Sequence, residues 1–111
     1  MIKVRIYSSG AAVGMELEGH AGSGEPGQDL VCAAVSTLVF AVDDLFSRME
    51  ADGRLELRQP PLVEKGRARL EVQPEGQSAA ALEGAMELAC CFFRLLQENY
   101  PENIEFYREN E

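Results

Sequence analysis

The sequence predicts an α+β fold, a two-layer sandwich in which two helices pack on one face of a mixed sheet of four to five strands. Five segments alternate apolar and polar residues, as strands do, and two longer segments repeat apolar residues every three or four positions, as helices do. Their order is β-β-α-β-β-α-β, for which two helices over one sheet face is the natural layering. The chain has 111 residues without repeats or linkers, so residues 1–111 are predicted to form a single domain.

Strands are predicted where apolar residues share one face of a short segment. Ser8-Ser9-Gly10 is the predicted turn between the first two strands, and Lys65-Gly66 is the predicted turn before the fourth. Pro60-Pro61 disfavour a central position for the third strand, because proline cannot donate to a sheet ladder, and the fifth is predicted at an edge. The predicted strands lie around residues 2–6, 13–17, 55–57, 68–72 and 104–106.

The first helix is predicted over Leu30–Met49, after Asp29 as its N-cap, because a short carboxylate accepts hydrogen bonds from the free amides of a first turn. Its first three turns are apolar nearly all round, which predicts burial on several sides. The longest apolar stretch, Leu30–Val42, has 13 residues and is too short to span a bilayer.

The second helix is predicted over Ser78–Asn99. Tyr100-Pro101 ends it, because the residue before a proline avoids helical backbone. Cys90 and Cys91 lie within this helix, and both are predicted to be packing residues. The apolar stripe of the helix comprises Leu82, Ala85, Met86, Ala89, Phe92, Phe93 and Leu96.

The charge balance argues against nucleic acid as a partner. The chain carries 19 acidic and 10 basic residues, a net charge of −9, whereas nucleic-acid binding depends on Lys and Arg. Residues 1–7 alternate like a strand and lack the apolar core of a secretory signal, so we expect a cytoplasmic location, no membrane segment and reduced cysteines. The single histidine and a distant cysteine pair do not have ligand spacing, so no metal and no other cofactor is expected.

His20 and Cys32 are the candidate catalytic residues of the sequence. Cys32 is predicted in the first turn of the first helix, where the backbone amide dipoles favour a thiolate. A cysteine with a histidine is the minimum for nucleophilic catalysis, and free amides of the first turn could hold the resulting oxyanion. The glycine-rich loop of residues 19–28, which contains His20 and precedes Cys32, has the flexibility to admit a peptide substrate and close over it. Its glycines are Gly19, Gly22, Gly24 and Gly27.

Structural interpretations of the same residues carry more weight when the residues are taken alone. A cysteine in an apolar helix is most often a buried small hydrophobe. A lone histidine at the end of a strand is more often a surface or packing residue. The glycine loop lacks the Gly-Lys-Ser/Thr ending of a phosphate-binding loop. Spacing by itself therefore leaves catalysis the minority interpretation.

A longer motif changes that balance. Residues 19–22 (GHAG) and 27–36 (GQDLVCAAVS) closely resemble the signature of the ribosomal-processing cysteine protease family, Prp. The signature consists of Gly-His-Ala, a glycine-containing loop, Asp-Ile/Val-Val-Cys-Ala, and a serine four residues after the cysteine. The tail at 99–104 (NYPENI) is similar to that family's C-terminal pattern, and the resemblance extends over essentially the full chain.

The resemblance implies an endopeptidase that removes a short N-terminal extension from a precursor ribosomal protein, L twenty-seven of the large subunit, after an aromatic-rich stretch. It implies a homodimeric α+β sandwich in which Cys32 is the nucleophile and His20 the general base. Asp29 and Ser36 occupy signature positions with supporting roles. Ser36 follows Cys32 by four residues and is therefore expected on the same helix face. Two other functions stay open, a non-catalytic module that binds ribosome-assembly intermediates and a thiol redox sensor.

Overall fold

The computed structural model confirms the α+β class and contains two helices and six strands within the part of the chain that it describes. That part is residues 1–19 and 28–110, with the backbone alone described at Gln28 and Asp29. The elements are β1 Ile2–Ser9, β2 Ala12–Glu18, α1 Gln28–Ala51, β3 Leu55–Leu57, β4 Leu62–Glu64, β5 Arg67–Pro74, α2 Ala79–Asn99 and β6 Ile104–Asn110.

The six described strands form one mixed sheet in the order β3-β5-β2-β1-β6, and β4 also pairs with β5. β6 runs parallel to β1, and the other pairs are antiparallel. β3 and β6 lie at the two ends of this order, which confirms that the strand after α1 is not central and that the last strand is an edge strand. The additional strand is β4, which the sequence does not reveal because its two apolar residues, Leu62 and Val63, are adjacent and show no alternation.

The turn between β1 and β2 differs from the prediction by two residues. Ser8 and Ser9 belong to β1 and pair with Val13 and Ala12, so the turn is Gly10-Ala11. Gly10 has φ +60°, a conformation that glycine adopts without steric cost. A two-residue connection of this kind keeps both strands in register up to the turn.

Both helices pack on the same face of the sheet, as predicted. Their buried side chains belong to a single apolar cluster with the inward residues of the strands, such as Val4 and Leu70. Phe93 of α2 is completely buried and stacks on Phe106 of β6, with 5.6 Å between the ring centroids. From α1 the cluster takes Val31, Val35, Val39, Val42, Phe46 and Met49, and from α2 it takes Leu82, Met86, Ala89, Cys90 and Phe93.

The opposite face of the sheet is polar. Arg5 forms ion pairs with Glu16 on β2 and Glu109 on β6. Tyr7 lies across Gly14, where a Cβ atom would come within 2.2 Å of the ring, and its hydroxyl donates to Glu71 at 2.6 Å. The two layers are therefore one layer of helices and one sheet whose outer face carries charges.

The helix boundaries refine the predictions. α1 begins at Gln28, so Asp29 lies in the first turn and the prediction that it caps the helix is wrong. α2 begins at Ala79, one residue after the predicted start, and ends before Tyr100 as predicted.

The prediction that both neighbouring cysteines pack is correct for Cys90, which is buried, and wrong for Cys91, which is exposed. Successive helical residues differ by about 100° in direction, so adjacent cysteines cannot share one face.

α1 has an apolar surface larger than its core contacts require. By length and composition alone, Leu30–Ala51 is long and apolar enough to cross a membrane. The apolar stretch Leu30–Val42 is too short to do so, but the helix continues beyond it with few charges. Only 28% of its most apolar window is buried within the domain. One stripe, which includes Val31 and Phe46, is in the core. α1 is thus a core helix whose outer face is also partly apolar.

Candidate active site

A cavity of about 630 Å³ lies between the N-terminal half of α1 and the hairpin formed by β4 and β5. Cavities of this size are typical of sites that enclose a ligand. Its apolar lining comes from β1, β2, β5 and the inward side of α1, through Ile2, Leu17, Ala68, Val35 and Val39.

α1 presents two of the predicted site residues to this cavity. Cys32 is half-buried and Ser36, one helical turn further on, is exposed, and both line the cavity. The neighbours Val31 and Val35 are buried in the core, which fixes the rotation of the helix so that Cys32 faces the cavity. The expectation that Cys32 and Ser36 share one helix face is confirmed.

Gly19 lines the same cavity and holds the start of the glycine-rich loop in place. Its N–H donates to the carbonyl of Gly66 in the β4–β5 turn at 3.0 Å. It has φ +127°, and a Cβ atom there would lie 2.2 Å from the carbonyl oxygen of Met1. Only glycine fits this position, for both conformational and steric reasons.

The remaining predicted site residues lie outside the described part of the chain. These are His20, Gly22, Gly24 and Gly27, together with the side chain of Asp29. His20 directly follows Gly19, whose backbone is fixed against the β4–β5 hairpin. The structure therefore places Cys32, Ser36 and Gly19 around one cavity, and the catalytic role of His20 stays a prediction.

Sequence reasoning missed the residues that the β4–β5 hairpin brings to the cavity. Val63, Glu64 and Lys65 line it, and so does Phe40 of α1, although 60% of its surface is exposed. The Lys65-Gly66 turn was predicted, but its closeness to Cys32 depends on a long-range strand order that no local pattern contains. Phe40 follows Ser36 by four residues, so helical spacing from Cys32 is the signal that could have found it.

The three cysteines have different surroundings. Burial raises the pKa of the Cys90 thiol above its ordinary value, which keeps it protonated. Cys91 is exposed on α2, and Cys32 is the one that lines the cavity. Within residues 1–19 and 28–110, no three His, Cys, Asp or Glu side chains come together as metal ligands.

A thiol near the start of a helix and at a cavity of ligand size is the placement that a nucleophilic cysteine requires. The family model described as "Cysteine protease Prp" matches residues 1–105. The chain therefore belongs to this family and is a cysteine protease, as its signature predicted.

Three solved structures share the fold of this chain. The crystal structure of SMU.848 from Streptococcus mutans has a TM-score of 0.69 and 26% identity, over 100% of this chain and 96% of that chain. The essential ribosomal processing protease Prp from S. aureus, in complex with a substrate peptide, has a TM-score of 0.68 and 21% identity, over 97% and 99% of the two chains. The structure of the same protease with a covalently linked product peptide has a TM-score of 0.69 and 24% identity, over 97% of this chain and 99% of that chain. No curated protein sequence matches the chain.

Proposed function

We propose that this chain is a cytoplasmic endopeptidase that removes the N-terminal extension of a precursor ribosomal protein, L twenty-seven of the large subunit. The observation that carries the proposal is the position of Cys32, the cysteine of the family signature, at the 630 Å³ cavity. Family membership over residues 1–105 includes the whole signature. The S. aureus relative is described as a ribosomal processing protease and was solved with a substrate peptide, which supports a peptide substrate here.

Cys32 is the proposed nucleophile and His20 the proposed general base. His20 takes the thiol proton, and the Cys32 sulfur attacks the carbonyl carbon of the scissile peptide bond. The tetrahedral intermediate collapses, the C–N bond breaks, and the imidazolium returns its proton to the leaving amine. A water molecule deprotonated by His20 then hydrolyses the thioester, which releases the acid product and restores Cys32.

The first turn of α1 is the proposed site of oxyanion stabilisation. α1 begins at Gln28, so the N–H groups of residues 28–30 have no acceptor within the helix. The positive end of the helix dipole also favours negative charge next to Cys32. Ser36 is proposed to support the site through its hydroxyl, since it lines the cavity one turn from Cys32. Asp29, an acidic residue of the first turn, is proposed to support the helix start.

The glycine loop and the cavity lining are proposed to define substrate entry. Gly19 anchors one end of the loop, and Gly22, Gly24 and Gly27 allow a peptide backbone to approach closely. The apolar lining, with Phe40 at its exposed side, suits the aromatic-rich stretch that precedes the cut. The net charge of −9 suits a basic ribosomal protein as partner.

Cleavage of a peptide that contains the extension and its junction tests this proposal. We expect a single cut by the wild-type protein and none by Cys32→Ala or His20→Ala. Cys91→Ala is the matched control, because it removes an exposed thiol that does not line the cavity. A Cys32→Ala protein that cleaves like the wild type would exclude Cys32 as the nucleophile.

The same protein is proposed to be a homodimer. Leu88 and Leu95, two turns apart on the outer side of α2, are 70% and 59% exposed. α1 also has apolar surface that the domain leaves uncovered. A second copy of the chain could bury these helix surfaces, which monomeric proteins rarely leave exposed as a large patch.

The oligomeric state can be measured by sedimentation. We expect Leu88→Glu to shift the wild-type dimer to a monomer, because an unpaired carboxylate in an apolar interface is costly. Tyr107→Glu is the control, since it places the same charge on the outer face of the sheet, where Tyr107 is 49% exposed. A wild-type protein that sediments as a monomer at all concentrations would contradict the dimer and leave the proposed chemistry intact.

A further inference from the structure

Strand β4 has an open edge beside the cavity. It pairs with β5 through Leu62–Arg69, Val63–Ala68 and Glu64–Arg67. Among the residues that the structure describes, no strand pairs with its other edge. Val63 and Glu64 line the cavity that contains Cys32, so the open edge and the thiol border the same space.

The hydrogen bonds of β5 determine which backbone groups of β4 are free. The N–H of Arg58, the residue after β3, donates to the carbonyl of Glu71 at 2.9 Å. The bonding direction alternates along an antiparallel strand, so odd-numbered residues of β5 point their backbone groups toward β3 and β4. Ala68 is even-numbered, so its backbone N–H and C=O point toward β2 and away from β4. Its partner Val63 is therefore in a pair without mutual hydrogen bonds, and the N–H and C=O of Val63 point away from β5.

We propose that the substrate polypeptide binds as an additional strand on the open edge of β4, with its main chain bonded to the N–H and C=O of Val63. This inference rests on the proposed function, in which Cys32 attacks a peptide bond. The ligand of this edge is proposed to be an extended polypeptide, because the chain is a cysteine protease and its substrates are polypeptides. Strand addition provides affinity through main-chain hydrogen bonds, and side-chain pockets then provide specificity.

The opposite wall of the cavity has the length that an extended peptide needs. Cys32, Ser36 and Phe40 form a stripe on α1, and all three line the cavity. The stripe spans about 12 Å, at about 1.5 Å per helical residue. Four residues of an extended chain span about 13 Å, at about 3.3 Å each. The stripe is therefore long enough to contact about four residues of a peptide bonded to Val63, whose side chains would alternate between the two faces of the added strand.

The β4–β5 hairpin also connects this edge to the glycine loop. The carbonyl of Gly66, in the turn, accepts the N–H of Gly19 at 3.0 Å. Gly19 immediately precedes His20 in the chain. A substrate strand on β4 would thus bind to the same hairpin that holds Gly19. The proposed general base, His20, is the next residue in the chain.

The first test changes the backbone of β4. Val63→Pro removes the outward N–H and is compatible with an edge strand, because that N–H makes no bond within the sheet. Val63→Ala is the matched variant, because it shortens the side chain and keeps the N–H. We expect kcat/KM of Val63→Pro to be roughly tenfold below that of Val63→Ala, through a higher KM. Circular dichroism and urea denaturation check that both are folded.

The second test changes the peptide, so it works even if Val63→Pro does not fold. Single amide-to-ester replacements at non-scissile positions remove one donor each. We expect roughly tenfold loss of kcat/KM at the one position that faces Val63 and little loss at its immediate neighbours. Equal cleavage of all esters and of both Val63 variants would overturn strand addition while leaving the protease intact. No cleavage of the parent peptide by the wild type would overturn both proposals.

Discussion

The two helices cover the same face of the sheet, yet their cysteines lie in different surroundings. Cys90 on α2 is completely buried in the apolar cluster, and burial raises its pKa. Cys32 on α1 is half-buried and lines the cavity. Beside α2 the sheet continues to β6, where Phe106 stacks on Phe93 and closes the core. Beside the N-terminal half of α1 the sheet ends in the short strand β4, and the cavity remains.

The fold thus separates the buried residues that stabilise it from the residues around the cavity that are available to a substrate. Substitutions in the core under α2 are expected to change the free energy of unfolding. Substitutions of the exposed or half-buried side chains that line the cavity, such as Phe40, are expected to change cleavage, because these side chains border the space for the substrate. They should cost little stability, because they have few core contacts to lose.

The largest expected effect is on stability, from Phe93→Ala. Phe93 is completely buried, so its loss should cost about 3–5 kcal/mol in the free energy of unfolding, measured by urea denaturation. If that variant does not fold, Phe93→Leu gives the same direction with a smaller loss.

Phe40→Ala is the matched variant on the cavity side of α1. Phe40 is 60% exposed, so the stability change should stay within about 0.5 kcal/mol while kcat/KM falls. If Phe40→Ala destabilises as much as Phe93→Ala, or leaves cleavage unchanged, the two regions are not separated in this way.

An intermediate effect is expected from Gly19→Ala. The substitution forces a side chain into φ +127° and against the carbonyl of Met1, at a cost of about 1–3 kcal/mol in local strain. Gly19 should move to relieve that strain, which would displace the start of the glycine loop at the site. We therefore expect kcat/KM to fall by a larger factor than the loss of unfolding free energy alone would explain.

Gly53→Ala is the control for Gly19→Ala. Gly53 also has a positive φ, +72°, but a Cβ atom there would meet nothing within 4 Å, and the residue does not line the cavity. Urea denaturation should show a loss of about 1 kcal/mol, and cleavage should be unchanged. Equal losses of activity in both variants would mean that Gly19 has no special role at the site.

A smaller effect is expected from alkaline pH. The raised pKa of Cys90 means that the unfolded chain loses the thiol proton more readily than the folded chain does. This contribution to stability is complete below the ordinary thiol pKa and is lost as pH rises above it. Tyr7 acts in the same direction at higher pH, because burial and the hydrogen bond to Glu71 raise its pKa.

Urea midpoints at a series of pH values from 7 to 10 measure this effect. We expect stability to fall over that range in the wild type and in Cys91→Ala. The fall should be smaller in Cys90→Ala, which has no thiol to ionise in the core. A slope that is unchanged in Cys90→Ala would show that burial of this thiol does not contribute to the pH dependence.

Much of the fold was predictable because local patterns determine it. Alternation identified five of the six described strands, and helical spacing identified the buried stripe that includes Leu82 and Phe93. β4 was missed because two adjacent apolar residues have no period, and its pairing with β5 follows from the hairpin geometry. The start of α1 was placed two residues late because Asp29 has the side chain of a typical N-cap.

The site was predictable in part, and from a different kind of information. Helical spacing placed Cys32 and Ser36 on one face, and the cavity confirms it. Spacing alone favoured a structural cysteine, and the family signature was needed to identify Cys32 as a candidate nucleophile. Val63 and Glu64 could not be predicted, because they reach the cavity through a sheet order in which β5 lies between β2 and β4.

The smallest expected effect is that of Cys91→Ala. Cys91 is exposed although its neighbour Cys90 is buried, because one helical step rotates the side chain by about 100°. An exposed position with a small side chain has little packing to lose, so the free energy of unfolding should change by no more than about 0.5 kcal/mol. Urea denaturation and kcat/KM should both match the wild type. A loss of more than about 1 kcal/mol would mean that Cys91 packs like Cys90, and the difference between core and surface thiols on α2 would disappear.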